Sequence, residues 1–368
     1  MMGKELQLKI WSIGICVLLG MLCLVFDASA QNSSLTDSIS ADHPHSEPAG
    51  FNAGSMIMHH IQDDHDWHIL DWKGHPVSIP LPIIIYHGQR GLDIFMSSQF
   101  HHGETDYLGY RLDHGTIVAV DDNKVIDEVV TAGIWDFSLT KNAVALIISI
   151  GFLLIIFLSI AKSYGKRRNE APKGLQSLLE PVIIFVRDEV AKSAIGPKYE
   201  RYLPYLLTIF FFIWINNIMG LIPIFPGGAN VTGNVAIPIV MALFTFVITN
   251  ISGNKHYWKH ILWMPGVPLA IKPLMLAIEL LGVFIKPTVL VIRLFANITA
   301  GHIVILVFIS LIFIFGEKSA VGGYSVSVAS VAFSVFLNFL EILVGAIQAY
   351  VFTLLSAIYF GMAVDESH

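Results

Sequence analysis

The chain has 368 residues, of which 54% are hydrophobic and only 14% are charged, with a mean hydropathy of +0.66. A soluble domain carries about 25% charged residues, so this composition excludes a wholly soluble protein and indicates an integral membrane protein with some soluble part. The net charge of -6 hides two parts of opposite charge. Residues 31–141 contain 16 acidic and 5 basic side chains, whereas residues 142–368 contain 10 acidic and 15 basic side chains. No basic stripe lies on a soluble segment, so we expect no nucleic-acid partner.

The first 30 residues have the pattern of a secretory signal peptide. Two lysines precede an apolar segment at residues 10–26, and Ala-Ser-Ala at residues 28–30 fits a cleavage site. An uncleaved first span is the alternative, but the apolar segment is short for one. Both cysteines, Cys16 and Cys23, lie in this segment, so cleavage would leave no thiol for disulfides or metal binding.

The next hundred residues divide into two parts. Residues 31–55 are rich in Ser, Asp, His and Pro, which is typical of a disordered leader. Residues 56–135 contain β-rich runs at 77–86 and 115–120, with Gly and Asp clustered between them. This pattern predicts a small β-containing domain.

Basic residues fix the expected orientation of the first span. Residues 143–161 form an apolar run long enough to cross a bilayer, and Lys162, Lys166, Arg167 and Arg168 follow directly. The positive-inside rule places this end in the cytoplasm. The preceding domain would then lie outside the cell membrane, in agreement with a signal peptide.

An amphipathic helix is predicted at residues 174–193. Leucines and valines recur there at helical spacing, and charged residues occupy the other positions. We expect this helix to lie on the cytoplasmic face of the membrane. A soluble loop helix is the alternative.

The rest of the chain consists of four apolar segments. Residues 203–224 and 236–251 predict two spans, and the blocks 267–315 and 326–363 each exceed the ~20 residues of a perpendicular span. Each block is either two spans or one long tilted helix, and the lack of a polar Gly/Pro break favours the helix. The predicted fold is an all-α polytopic membrane protein with two long tilted helices near the C-terminus, plus a small β-containing N-terminal extramembrane domain.

Few charged or titratable side chains interrupt the two long blocks. They are Lys272, Glu279, Lys286, Arg293, His302 and Glu341. An Arg at mid-bilayer costs about 2.5–3.5 kcal/mol on insertion scales, so such residues face protein or water and are functional by default. Snorkelling near a helix end can explain Lys272 and Lys286, but not Arg293, which lies deep in its block.

Spacing places several of these residues on one helix face. Glu279, Lys286 and Arg293 are seven residues apart, so they drift by only about 20° per step, and Asn297 lies one turn beyond. A guanidinium keeps its proton in proteins. Arg293 therefore cannot relay protons, but it can force a facing carboxylic acid to ionise.

The other titratable residues can relay protons. His302 points roughly opposite to Arg293, where it can approach Glu341, and Glu341 and Gln348 are again seven residues apart. His titrates near pH 6.5 and Glu near pH 4.3 before their surroundings act on them, while amides such as Gln348 can orient water. Since one His and two Glu are too few for a metal site, the pattern predicts a proton path that contains a fixed charge.

Two motifs resemble a known family. Residues 291–302, Val-Ile-Arg-Leu-Phe-Ala-Asn-Ile-Thr-Ala-Gly-His, resemble the signature of subunit a of F-type ATP synthases. Residues 347–355, Ile-Gln-Ala-Tyr-Val-Phe-Thr-Leu-Leu, resemble the last-helix motif of that family, and Lys286-Pro287 and residues 216–223 also fit. The resemblance covers residues 134–368.

The resemblance implies a role for the chain and for each polar residue. It implies a non-catalytic channel subunit without a cofactor, which works in the cell inner membrane with c-ring proteolipids, a b-type peripheral stalk subunit and the rest of the ATP synthase. Arg293 would face the ring carboxylate and separate two half-channels. The residues implied to line those half-channels are Asn297, His302, Glu341 and Gln348 on the periplasmic side and Glu279 on the cytoplasmic side.

Several positions depart from the family pattern. His302 and Glu341 look exchanged relative to many bacterial members, which still leaves one His and one carboxylate in the path. Gly220 stands where an acidic residue is often found, and Asp136 is a candidate carboxylate at the channel mouth. The outer domain resembles the extended N-terminus of such subunits from Bacteroidetes-like bacteria.

The outer domain also holds most of the 15 histidines. Residues 63–68, Asp-Asp-His-Asp-Trp-His, could bind a metal if His65 and His68 shared a helical face, but we favour a solvated acidic surface. A proton-collecting or buffering role at the channel mouth is a further hypothesis. Among other classes, a stand-alone transporter predicts inverted repeats and helices broken at mid-membrane, and the sequence has neither. A receptor domain on an anchor leaves the intramembrane polar residues unexplained.

Overall fold

A computed structural model describes residues 52–61, 63–72, 75–88, 90–103, 105–113, 115–121, 123–166, 171–222, 227–264 and 268–365. The predicted signal peptide and residues 31–51 of the predicted leader lie outside the described residues. The described chain opens with helix α1, Ala53–Ile61. Residues 53–55, which we assigned to the leader, are therefore helical.

Residues 52–137, which we call the outer region, contain seven short strands in their described part, all paired antiparallel. The strands are β1 Asp66–Trp72, β2 His75–Pro80, β3 Pro82–His87, β4 Gly91–Met96, β5 Tyr110–Asp113, β6 Thr116–Ala119 and β7 Ile134–Asp136. They form two hairpins, β1-β2 and β5-β6, and a sheet of order β4-β3-β7. A short helix, α2 (Glu128–Thr131), precedes β7.

The apolar run at residues 77–86 is two strands rather than one. Pro80 ends β2 and Pro82 begins β3, because proline has no N–H to donate to a continuous ladder. Within β3, Ile83 and Ile85 are fully buried, and they pack with Phe100 and Tyr110 in a small core of the outer region. The alternation of buried and exposed side chains along β3 follows from the period of two in a strand.

The outer region is tied to the start of the first long helix, α3 (Lys141–Lys166). Asp63 accepts hydrogen bonds from Thr140 Oγ1 at 2.9 Å and from the backbone N–H of Asn142 at 3.0 Å. The first N–H groups of a helix have no partner within the helix. A carboxylate from far along the chain therefore caps the N-terminus of α3.

The membrane region contains all the remaining helices. After α3 these are α4 Leu175–Phe185, α5 Ser193–Ile195, α6 Leu203–Leu221, α7 Ala236–Ser252, α8 Lys255–Leu262, α9 Lys272–Lys318 and α10 Ala320–Val364. In the described residues, α3, α6, α9 and α10 are each long and apolar enough to cross a membrane, and α7 and α8 form a pair bent by 104°.

The two long apolar blocks are single helices, as predicted. Helix α9 has 47 residues and α10 has 45, and they meet at Ser319. At 1.5 Å per residue each is about 70 Å long, against a hydrocarbon core of about 30 Å. Length therefore requires a steep tilt. The helices meet closely at the turn, where a Cβ on Gly323 would lie 2.8 Å from Gly316 Cα.

The segment predicted as one amphipathic helix differs from expectation. Helix α4 passes into a π-helix, Val186–Lys192, and the apolar side chains of Leu179, Val186 and Val190 are buried in the main core of the protein. The segment thus packs against the helix bundle, and the wider π-helical turn belongs to this packed part. A close approach fixes it there, since a Cβ on Gly361 of α10 would lie 2.1 Å from the carbonyl oxygen of Ala194.

Helix α6 is the centre of the bundle, whereas α9 and α10 lie at its edge. Within the most apolar window of each helix, 67% of α6 is buried but only 11% of α9 and 22% of α10. Asn217 joins α6 to α10, because its amide donates to Gly345 O at 3.2 Å and accepts from Thr232 Oγ1 at 2.7 Å. The long helices therefore keep one side for their own protein and expose the other.

Candidate functional site

Antiparallel pairing of α9 and α10 brings the two sequence motifs together. Asn297 Nδ2 donates to Gln348 Oε1 at 3.0 Å, and His302 Nε2 lies 3.8 Å from Glu341 Oε1. Four polar residues that sequence reasoning singled out thus form two successive pairs between the helices. The approach of His302 to Glu341 is the one that helical spacing predicted.

The Glu341 carboxylate lies in a tight position. Its side chain is 7% exposed, and neither oxygen has a hydrogen-bond partner among the described residues. A Cβ on Gly301 would lie 2.7 Å from Glu341 Oε1, so only glycine leaves room for the carboxylate there. Buried polar groups are normally hydrogen-bonded, which makes Glu341 a group that needs water or a mobile proton.

Gly220 of α6 lies beside His302. A Cβ on Gly220 would be 3.6 Å from His302 Nε2, within ordinary contact distance. Gly220, the position at which the resemblance led us to expect an acid, thus adjoins the imidazole. The carboxylate next to His302 comes from Glu341 of α10.

Arg293 lies between two polar regions of α9. Its guanidinium makes no hydrogen bond or ion pair with any residue that the structure describes, and its side chain is half-buried. It is nine residues from His302, or about 13 Å along the axis, and fourteen from Glu279, or about 21 Å. The fixed charge is therefore separated from the imidazole of His302 and the carboxylate of Glu279, while the phenol of Tyr359 on α10 lies close enough to interact with it electrostatically.

The N-terminal part of α9 carries Lys272, Glu279 and Lys286. Lys272 Nζ lies 3.8 Å from the centre of the Trp263 ring, and Lys286 Nζ lies 5.6 Å from that of Tyr359. Both lysines thus rest on aromatic faces, as expected for cations near an interface. Glu279 lies one turn before Val283, which packs with Tyr257 where α9 begins and α10 ends.

A small pocket of about 20 Å³ lies beside Lys286. It is lined by polar groups of α7 and α8 as well as by α9 and α10, including Thr249, Asn250, Tyr257 and Tyr359. This volume is about the minimum that one water needs. It is a water-sized pocket at the end of the bundle opposite to His302.

A much larger cavity of about 630 Å³, which we call the outer chamber, opens beside His302. It lies between the outer region, the end of α6 and the facing sides of α9 and α10. Its polar lining residues are Asp64, Asp66, Lys141, Asn230, His302 and Asn338. One water takes about 30 Å³, so the chamber has room for roughly twenty.

Among the polar lining residues, sequence reasoning missed Lys141, Asn230 and Asn338. Asn338 lies three residues before Glu341, so the helical spacing used for Glu341 would also have found it. Asp64 and Asp66 belong to residues 63–68, for which a proton-collecting role was a hypothesis, but their place on this wall depends on tertiary structure. Asp136, which was the predicted carboxylate at the mouth, is not among the lining residues.

Asp136 instead pairs with a buried histidine. Its Oδ2 lies 3.4 Å from His65 Nε2. Burial alone would lower the pKa of His65, but Asp136 and the nearby Asp63 and Asp64 raise that pKa above its ordinary value. Burial would raise the pKa of Asp136, but its interaction with His65 lowers that pKa below its ordinary value. The pair is therefore ionic over a wide pH range.

The expectation that His65 and His68 share a helical face is wrong. His68 lies in strand β1, and His65 immediately precedes that strand. Side chains of a strand alternate between faces, so a separation of three places them on opposite sides. No group of three or more His, Cys, Asp or Glu side chains placed to hold a metal occurs in the described parts of the chain.

These features define a class of protein: a polytopic membrane protein with paired polar side chains between two long apolar helices. The chain belongs to the ATP synthase A chain family, whose model matches residues 144–361. Membership makes it the proton-translocating channel subunit of an F-type ATP synthase, rather than a catalytic subunit, and it works with the rest of that complex. A stand-alone transporter is not favoured.

Named relatives agree with this assignment. The chain is 42% identical over 251 residues to ATP synthase subunit a of Chloroherpeton thalassium, which covers 65% of this chain and 72% of that protein. It is 46% identical over 253 residues to ATP synthase subunit a of Chlorobium phaeobacteroides, and this match covers 66% of this chain and 70% of that protein. The subunit of Myxococcus xanthus is 40% identical over 243 residues, which covers 64% and 76%.

The outer region matches a separate family. A domain of unknown function (DUF8433) matches residues 56–137, which contain every strand that the structure describes. This match ends where the linker to α3 begins. Its description assigns no activity to the domain.

Proposed function

We propose that Arg293 separates two proton half-channels that meet at a rotating ring of c-type proteolipids. The observation that carries this proposal is a guanidinium with no hydrogen bond or ion pair among the described residues, on a helix that is largely exposed. An unpaired charge in a membrane is costly. A carboxylic acid of the ring that arrives opposite Arg293 would lose its proton there, and the resulting carboxylate would be the partner of the guanidinium.

The two half-channels would lie on either side of Arg293. The outer one comprises the chamber, His302, Glu341, Asn297 and Gln348. The inner one comprises Glu279 and the polar pocket beside Lys286. Separation matters because a continuous path would dissipate about 2.3 kcal/mol per proton at 100 mV. A charge that cannot change its protonation state blocks that path.

The distribution of basic residues supports an orientation for the subunit. Lys198 Nζ donates to Val364 O at 3.4 Å, and Lys272 lies on Trp263, so both lie at the end of the bundle where α10 finishes. Lysines at one end indicate the cytoplasmic side. We therefore propose a subunit of the cell inner membrane with a cytoplasmic C-terminus, a periplasmic outer domain at residues 56–135, and a b-type stalk subunit as a further partner.

Replacing Arg293 tests the proposal. Arg293→Ala should abolish ATP-driven proton pumping by the intact complex in inverted membrane vesicles, while the amount of subunit in the membrane stays the same. Lys318→Ala is the matched control, because it removes a cation from the far end of the same helix, and it should pump normally. Normal pumping by Arg293→Ala would refute the proposed barrier.

A further inference from the structure

The outer domain and the membrane helices share the walls of one cavity. On the outer side the chamber is lined by Ile61, Asp64, Asp66 and Trp67. On the membrane side it is lined by His302 and Asn338, among others. The domain of unknown function is thus not an appendage beside the path, because its first strand forms part of the wall that faces His302.

The acidic residues of this wall are held in place. Asp66 is buried and accepts a hydrogen bond from Ser97 Oγ. Asp64 Oδ1 accepts from the backbone N–H of His65 at 2.7 Å, and the carbonyl of Asp64 accepts from the backbone N–H of Lys141 at 2.9 Å. The Asp66 carboxylate is thus held to Ser97, and the backbone of Asp64 is tied to the start of α3.

The charge on the chamber wall is mixed. Two carboxylates and the ammonium of Lys141 face the imidazole of His302, with Glu341 directly behind it at 3.8 Å. Lys141 is itself 9% exposed and offsets part of the negative charge. The lining therefore has two carboxylates and one ammonium group. This excess of negative charge would attract protons toward a chamber that is large enough for water.

We propose that the outer domain is the proton-collecting entrance of the outer half-channel, with Asp64 and Asp66 as the collecting groups. A carboxylate takes a proton from the outside water and releases it to the water of the chamber. That water passes it to the imidazole of His302, and the carboxylate is again ionised. This inference rests on the proposed half-channel function, and it assigns the entrance of the outer half-channel to residues of the outer domain.

The test is the double variant Asp64→Asn and Asp66→Asn in the intact, reconstituted ATP synthase. Asn keeps the size and the acceptor oxygen of Asp, so the bonds to Ser97 and His65 can persist. ATP synthesis is measured as a function of the pH of the compartment that the outer domain faces. We expect half-maximal synthesis to move by one pH unit or more toward acid, with the rate in strong acid retained.

Glu128→Gln is the matched control. It removes one carboxylate from the same domain at an exposed position outside the chamber, and it should keep the wild-type profile. A double variant that is assembled and has the wild-type profile would overturn the proposal. Loss of coupling in Arg293→Ala, measured in parallel, establishes the half-channel mechanism independently of that outcome.

A second measurement tests the proposal without the double variant, in case that variant does not assemble. Cys16 and Cys23 are the only cysteines of the sequence, so Ile305→Cys in a background without them provides a single site on the chamber wall. A membrane-impermeant cationic thiol reagent added from the outer side should label it and reduce proton flux at least tenfold. Ile303→Cys, two residues away and outside the lining, is the control. Equal labelling of both sites, or of neither, would contradict a water-filled entrance.

Discussion

Substitution of Gly301 by alanine tests whether the exact place of the Glu341 carboxylate controls proton flux. The added Cβ would lie 2.7 Å from Oε1 and 2.9 Å from Cδ of Glu341. Ordinary contact begins at 3.4 Å, so the carboxylate must move by about 0.7 Å, the difference between 3.4 and 2.7 Å. That displacement is large beside a His302–Glu341 distance of 3.8 Å.

The expected result is a functional loss without a folding loss. Alanine stabilises a helix by about 1 kcal/mol relative to glycine, and the obstructing atoms are the end of a flexible side chain. We expect ATP-driven proton pumping to fall on the order of tenfold, since misplacing a reacting group by ~1 Å can cost about 100-fold. Pumping is measured in inverted vesicles that contain matched amounts of the complex.

Gly282 provides the control on the same helix. A Cβ there would meet nothing within 4 Å, so Gly282→Ala gains the same helix propensity and moves no carboxylate. It should pump like the wild type. If the two alanine variants pumped equally well, the position of Glu341 would not limit proton transfer and the reasoning would fail.

Three further predictions concern stability. Asn297→Leu should lower the stability of the complex by about 1–3 kcal/mol, because the buried amide of Gln348 loses its partner; thermal unfolding of the single and double Leu variants should show coupling between the two sites. Gly361→Ala should cost about 1–3 kcal/mol by overpacking against backbone, visible as a lower Tm. The ion pair between His65 and Asp136 stabilises the folded outer domain at pH values below the raised pKa of His65 and above the lowered pKa of Asp136. This stabilisation is lost as the pH rises through the pKa of His65 or falls through the pKa of Asp136. His65→Gln should therefore flatten the pH dependence of protease resistance in the outer domain.

Much of the membrane region was predictable because its determinants are local. Apolar length, together with the lack of a polar Gly/Pro break, predicted the two long helices, and the seven-residue spacing of charges predicted which residues share a face of α9. The approach of His302 to Glu341 also followed from angular position on a helix. Each of these inferences needs only a helix of known period and neighbours within one or two turns.

The outer chamber was not predictable, because residues from five separate parts of the chain line it: 61–67, Lys141, 218–230, 302–309 and 335–342. The sequence suggested a proton-collecting role for residues 63–68, but it could not show that Asp64 and Asp66 line a cavity together with α6 and α9. The error over His65 and His68 has the same origin, since a helix and a strand place residues three apart differently. The π-helical turn after α4 was also not predicted, and its side chains Val186, Val190 and Ala191 are buried in the core of the bundle.

The capping of α3 by Asp63 has a consequence for biogenesis. The bonds to Thr140 and Asn142 join residues 77 and 79 positions apart, so they cannot form until the start of α3 has been synthesised. Domains generally fold from the N-terminus as they are synthesised. The N-terminal end of this helix is therefore completed late, by a segment made early. A chain whose Asp63 is held away from α3 would leave that helix end uncapped, so the cap links placement of the N-terminal segment to completion of the first long helix.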